Sequence, residues 1–548
     1  MRTFCWRALF LVGLSLALMP AGGCVEKDKT EVGSIGLATA AELGPTIASF
    51  AGVSKPAPVA VEGYGLVGGL PGTGSAHCPP HVRAYLKQYV LAQLSHERIS
   101  VDQLIDSKNT AVVRLEGWLP ATASREEHFD VRASVIPGSE ATSIGGGWLY
   151  KADLVALGTF GVDTKPLATV DGPIFINPIE NRDSDSGSGY VLGGGRVAYE
   201  FAMNLRLRRP NYRLASIIRN RLNERYGPNI ATALSPSDIE VRVPEEYRRK
   251  KLRFVAMVAA TFVELTPELA TARVTTLIHQ LAVSDHKDSA EIALEAIGRK
   301  GLGRLRMLLD ASDAEVRLRA ARCMLNLGDD RALATLRTLA ADEDSPRRLD
   351  ALDAVMVSAR RNDALALAQR LLRDRDAAVV LAAYEHLRQM EAPVVTGELV
   401  GRSFLLERVV STDRRAIFVS RRGDPRIVLF GAPLTCRDNM FVESPSKAIV
   451  VDSRAGQEYV SVIRKHPTRR GVIGPVKSGR DLTDLIRVLG AEPATTAEGQ
   501  LRGLGVSYAE TIALLEQLSA KGAVDAEFWV GPLAKIEVPV KKRPPLGR

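Results

Sequence analysis

Aromatic side chains are scarce in this chain, 5% of 548 residues, and histidine and cysteine are scarcer, at eight and five. No two cysteines stand in a C-x-x-C pair, which removes the zinc-ribbon and dithiol redox classes. His77 and His81 form the one close histidine pair. Pro79 and Pro80 hold the backbone extended between them and no fourth ligand follows, so His77-Cys78-Pro79-Pro80-His81 reads as a surface loop, not a metal site. A serine elbow, a zinc-protease motif and a paired-carboxylate arrangement are also missing. These absences leave no constellation for catalysis, and no cofactor is expected.

What is present points to several domains and export. The length suits three or four domains, and 46% apolar residues can supply sizeable cores. Arg2 and Arg7 precede the apolar run Ala8–Met19, which has secretory length and is too short to span a bilayer. Pro20-Ala21-Gly22-Gly23-Cys24 then resembles a bacterial lipobox, with Ala21 where Leu is usual. Residues 1–23 are expected to be a lipoprotein-type signal peptide with Cys24 as the lipidation site. Ordinary cleavage near Gly22–Gly23 is the alternative. Loss of this segment removes two Arg and no acid, lowering the formal net charge from +9 to +7. Of the remaining cysteines, Cys323 sits on an apolar helical stripe and reads as core, while a Cys78–Cys436 disulfide would suit an oxidising compartment. Arg206, Arg208, Arg209 and Arg213, and the run Arg248, Arg249, Lys250 and Lys251, favour an anionic neighbour: a polymer, membrane headgroups or an acidic protein. Solvated surface charge is the other reading. An exported chain is not expected to meet nucleic acid.

Along the chain, residues 24–58 are small, polar and punctuated by Pro45, Pro56 and Pro58, as in a tether. Mixed α and β signals run over 59–268. Thr110–Leu115, Phe129–Ile136 and Ile239–Val243 read as strands; His81–Leu94 and Tyr212–Tyr226 read as helices, the second burying Ile217, Ile218 and Leu222. Asn181–Gly189 is a polar loop. Over 269–391 the strand signal disappears and a repeat emerges. Segments beginning at Asp313, Asp344 and Asp376 follow one another at 31 and 32 residues, a fourth degenerate copy lies near Ser289–Gly298, and each Asp is placed to cap a helix. This resembles HEAT-like repeats, which present extended faces to partners. Strands return over 392–535 at Ala416–Val419, Arg426–Phe430 and Ala448–Val451. Helices follow at Asp481–Leu489 and Tyr508–Lys521, then a last strand at Ala526–Val530. The tail 536–548 is basic, Pro-rich and expected to be disordered. The fold class is therefore α+β, with a central all-α solenoid.

The run Val61–Ser75, VEGYGLVGGLPGTGS, spells G-x-G-x-x-G at Gly63, Gly65 and Gly68. A dinucleotide loop would start its helix within the motif, yet Pro71-Gly72-Thr73-Gly74 prolongs a turn, and no acidic residue ends a second strand about twenty positions on. A phosphate loop over Gly69–Ser75 fails because Ser75 stands where Lys is needed. Gly63-Tyr64-Gly65-Leu66-Val67 through Leu70-Pro71-Gly72-Thr73-Gly74 instead resembles the opening signature of the flagellar P-ring protein family. Its later motifs follow in order: Asn109–Val113 with Trp118-Leu119-Pro120, Phe129-Asp130-Val131 with Ser134, Ile144–Gly147 with Leu149, Leu205–Tyr212, and Val241–Pro244 with Tyr247. The resemblance extends over 47–265 and returns more weakly over about 445–530, where Leu504–Ser507, Ile512–Leu515 and Lys521–Glu527 are similar to the family's end.

The resemblance implies a non-enzymatic, homo-oligomeric ring subunit around the flagellar rod, in the periplasm and peptidoglycan layer, supporting motility. Implied partners are other copies of the chain, rod and outer-ring proteins, peptidoglycan, and a membrane through the N-terminal lipid. The glycines are then expected to permit tight turns and close backbone packing. An alternative keeps the P-ring fold in an envelope-anchored adaptor that forms no ring and binds a protein through the helical repeats.

Overall fold

The computed structural model describes residues 43–53, 56–93, 100–160, 165–179, 186–465, 471–495, 501–534 and 536. The expected signal segment, Cys24, most of the expected tether, residues 181–185 of the polar loop and the tail beyond 536 lie outside these residues. Among the described residues no helix is long and apolar enough to cross a membrane. The fold is α+β.

After a short strand β1 (Ala51–Val53), six strands close into an antiparallel barrel: β2 (Val59–Gly68), β3 (Ala111–Leu119), β4 (His128–Val135), β5 (Trp148–Ala156), β6 (Ala168–Pro173) and β7 (Ser188–Val197), in the order β2-β3-β4-β7-β6-β5. Strand residues such as Val61, Val113, Leu115, Val131, Leu149, Leu154 and Val191 form one buried cluster. Barrel width falls with strand number, so six strands leave little room. A Cβ at Gly63 would lie 2.4 Å from the Asp153 carbonyl oxygen, and one at Gly65 would lie 2.7 Å from Leu149 Cδ1. The glycine run therefore divides by role. Gly63, Gly65 and Gly68 belong to a strand paired on both sides, whereas Gly69 and Gly72 turn the chain with φ of 76° and 78°. Ser188 and Gly189, expected in the polar loop, already belong to β7.

β8 (Met203–Leu207), β9 (Ala231–Ala233) and β10 (Asp238–Val241) join β1 in an antiparallel sheet ordered β1-β8-β10-β9. Residues 43–53 thus depart from the expected tether: Ala51 pairs with Leu207 and Ile47 is fully buried. The helices Tyr212–Tyr226 and Lys251–Ala260 cover one face of the sheet through Ile218, Leu222, Phe254 and Val258. Ile217, expected inside, is 38% exposed, because a helix with Ala215, Ile218 and Leu222 toward the sheet turns that position outward.

From Pro267–Val283 to Ala377–Gln389 the chain is helical. The helices Lys287–Ile297, Ala314–Asn326, Arg348–Ser358 and Ala377–Gln389 stack in succession. Their period appears as bonded side chains 31 or 32 residues apart: Arg322 to Glu291, Asn326 to Glu295, Arg347 to Glu315 and Ser358 to Asn326. Asp313 and Asp376 cap their helices, accepting from the Glu315 and Ala378 amides. Asp344 does not, contrary to expectation. Pro346 disfavours helical backbone at Ser345, and the helix starts only at Arg348.

The C-terminal region holds β11 (Val395–Val400), β12 (Phe404–Val409), β13 (Ala416–Arg421) and β14 (Arg426–Phe430), which with the last strand Glu527–Leu533 make a mixed sheet with β13 and β14 inside it. A second sheet runs antiparallel through β15 (Met440–Glu443), β16 (Ile449–Ser453), β17 (Tyr459–Lys465) and β18 (Val472–Gly479). Phe418, Val428 and Phe430 continue the core of the repeats, while Ile417, Val419, Ile427 and Leu429 face a second core with the helices Leu482–Gly490 and Tyr508–Ala520. Every residue of β13 and β14 is buried, as strands covered on both faces require. Cys78, Cys323 and Cys436 are free thiols, so the Cys78–Cys436 disulfide is not formed. Cys323 is fully buried in the repeat core.

Candidate assembly surface and inter-domain seams

The two basic clusters separate into outward and inward groups. On β8 the strand alternation buries Leu205 and Leu207 and turns Arg206 to solvent, and Arg208, just past the strand, is exposed as well. Arg206 Nε donates to Asp238 on β10 at 3.1 Å. Arg208 donates from both terminal nitrogens to the Ser49 and Ala48 carbonyls, each at 3.2 Å, and so pins the helix Ile47–Phe50 to the sheet. Arg209 and Arg213 are exposed where β8 turns into the helix Tyr212–Tyr226, which Asn211 caps. Arg248 pairs with Glu245 at 2.7 Å and Arg249 is exposed beside it.

Lys250 and Lys251 do not belong to that surface, which corrects the sequence reading of the second cluster. The backbone passes from a 3-10 turn into the helix Lys251–Ala260, and this turns consecutive side chains inward. Lys251 is 6% exposed and donates to Ser124 Oγ and Glu200 Oε1, both at 2.8 Å. Lys250 Nζ reaches the solenoid, donating to Asn326 Oδ1 at 2.8 Å and Ser358 Oγ at 3.4 Å. Burial lowers its ammonium from the usual lysine range, with Glu295 opposing.

Arg253, one turn further on, joins the same seam. It donates to Glu295 through Nε at 2.8 Å and Nη2 at 2.5 Å, and to Glu291 through Nη2 at 2.5 Å. Both acceptors stand one turn apart on the helix Lys287–Ile297, among Ala290, Ala293, Leu294 and Ile297, and are at most 1% exposed. Arg322 Nη2 and Arg319 Nη1 reach Glu291 from the next repeat at 2.6 and 3.1 Å. Burial works to raise the Glu291 carboxyl, but Arg253, Arg322 and Arg319 outweigh it and hold it at about 2. Burial raises Glu295, which Arg253 offsets only in part. Arg225, from the other sheet helix, donates to the Glu295 and Ala296 carbonyls at 2.7 and 3.1 Å, where that repeat helix ends. Two arginines thus grip one repeat helix by its carboxylates and by its free carbonyls. Glutamates spaced one turn apart on an otherwise apolar helical face were the available sequence signal for this clamp.

A second seam joins the barrel to the C-terminal region. Asp130 on β4 accepts from the Gly193 and Gly423 amides, each at 2.8 Å through Oδ1, and burial raises its carboxyl against those bonds. Gly193 has φ of 60°, and a Cβ there would lie 2.9 Å from Asp424 Oδ1, so the approach requires glycine. Phe175 and Leu192 of the barrel region enter the same core as Leu406, Ile427 and Tyr508. Among the described residues no group of three or more His, Cys, Asp and Glu is arranged to hold a metal ion.

The family model described as flagellar P-ring protein matches residues 46–276, which hold the barrel, the four-stranded sheet and its helices, and end inside the helix Pro267–Val283. A flagellar P-ring protein of Helicobacter pylori is 32% identical over 204 residues, covering 36% of this chain and 55% of the relative. Flagellar P-ring protein 1 of Photobacterium profundum is 29% identical over 227 residues, covering 38% and 57%. A flagellar P-ring protein of Anaeromyxobacter dehalogenans is 31% identical over 220 residues, covering 37% and 56%. The chain spans a little over half the length of the curated relatives it matches. The ordered motifs, the barrel and sheet they build, and these matches coincide over residues 46–276, the part of the chain that is similar to flagellar P-ring proteins.

Proposed function

We propose that the chain is a structural subunit of the flagellar basal-body P-ring, surrounding the rod in the periplasm and peptidoglycan layer and supporting motility. The match of residues 46–276 to the family carries this reading. In it the chain has no enzymatic activity. It assembles with copies of itself, meets rod and outer-ring components, and is tethered to a membrane through a lipid on Cys24. Of the two basic clusters, Arg206, Arg208, Arg209, Arg213, Arg248 and Arg249 turn to solvent, and in this reading they face an anionic partner surface in the assembled ring. The test is deletion of the gene followed by electron microscopy of purified basal bodies. Loss of the periplasmic ring is expected, and an intact ring contradicts the proposal.

One observation favours a second reading. Residues 277–536 lie outside the family match yet are bonded to it through Arg253, Lys250 and Asp130. An envelope-anchored adaptor that reuses the fold without forming a ring would use the repeats as its binding face. Intact rings in the deletion strain, together with co-purification of a partner that needs residues 267–389, would support this reading over the first.

A further inference from the structure

The solenoid has a groove on the side where its helices Leu333–Ala341 and Arg361–Leu371 end. A cavity of about 840 Å3 lies there, floored by Ala341, Leu371 and Val394 and rimmed by Arg370, Arg373 and Arg375. The groove lies wholly outside residues 46–276, so the family match does not bear on it.

Within this groove charge pairing leaves two arginines over. Most arginines of the repeats are engaged: Arg319, Arg322, Arg337, Arg347, Arg348 and Arg360 each pair with a carboxylate. Arg370 and Arg373 are exposed, and among the described residues neither has a carboxylate within ion-pair distance. The acids that line the groove are already committed. Asp374 is taken by the buried guanidinium of Arg348, and Glu343 lies 4.0 Å from Arg375. Arg370 stands in the last turn of its helix, where a cation also complements the macrodipole. Arg373 lies beyond the helix end and has no such role. Val394, which lines the groove, immediately precedes the edge strand β11. An edge strand offers unpaired backbone groups to an extended chain.

We propose that this groove docks an extended acidic peptide segment of a partner protein, its backbone alongside β11 and its carboxylates on Arg370 and Arg373. Two free guanidiniums over an apolar floor suit carboxylates carried on a chain better than one compact anion. The proposal stands whether or not the chain forms a ring.

The test uses the purified chain and a fluorescein-labelled octaglutamate peptide, read by anisotropy at low and physiological salt. Saturable binding is expected, weakened at least tenfold by Arg370→Glu with Arg373→Glu and left unchanged by the control Arg125→Glu, whose side chain is 72% exposed on the barrel side. Circular dichroism checks that the double variant is folded, and Arg370→Gln with Arg373→Gln should give a smaller loss. Absence of saturable binding overturns the proposal, as does equal weakening by the control. Competition by inorganic phosphate at matched charge as effective as unlabelled peptide overturns the peptide assignment.

Discussion

Gly63 and Gly74 show how single positions hold the barrel region closed. A Cβ at Gly74 would sit 2.0 Å from the Thr110 carbonyl oxygen, and one at Gly63 would sit 2.4 Å from that of Asp153, so a backbone must shift to admit a methyl group. Alanine at either position should cost about 1–3 kcal/mol in urea unfolding. Gly72→Ala, at φ of 78° with nothing within 4 Å, should cost only about 1 kcal/mol of backbone strain. Equal costs at the three sites would contradict the packing account. Glu291 is the residue on which the first seam turns. Replacing it with Gln leaves Arg253, Arg319 and Arg322 facing a neutral amide, and about 3 kcal/mol of stability should be lost at pH 7. Its folded carboxyl, at about 2, lies below the ordinary 4.5, so its contribution is present above 4.5 and lost as pH falls toward 2. Thermal melts of the native chain and Glu291→Gln should therefore converge across that window; a constant gap would contradict the assignment. The sequence displays these glutamates plainly, but their partners come from another domain and from the next repeat, and no local pattern shows that pairing.

At the scale of elements, helices and repeats were the most legible features. Tyr212–Tyr226 has the bounds read from its apolar spacing, and the 31- and 32-residue period of the Asp segments becomes a ladder of bonded side chains. The barrel strands were less legible. β2 is rich in glycine, which local propensity assigns to turns, and only the narrow interior explains glycines in a paired strand. The basic run Arg248–Lys251 shows the same limit: composition reveals its charge, while the 3-10 turn and the packed helix decide that Lys250 and Lys251 point inward. Caps provide a direct comparison between these levels. Asp313→Ala and Asp376→Ala should each cost about 1 kcal/mol, since each removes an acceptor from a helix amide. Asp344→Ala, in the same repeat position without a helix to cap, should cost less than about 0.5 kcal/mol in the same chemical melts.

At the scale of the whole molecule, barrel, sheet, solenoid and C-terminal region form a connected body. The repeat core takes in Phe262 of the sheet domain at one end and Phe418 and Phe430 of the C-terminal sheet at the other, while Asp130 ties that sheet back to the barrel. The helical region is thus held at both ends, as a fixed lobe rather than a loosely strung appendage. In the proposed ring subunit, residues 46–276 build the ring and the repeats ride on it. Subtomogram averaging of the flagellar motor in intact cells, comparing the native chain with a version lacking residues 277–389, tests this. A periplasmic ring around the rod with one extra lobe per subunit is expected, and the lobe should be lost from the shortened chain. A native ring without the lobe, or an unchanged ring in cells lacking the whole chain, would contradict it.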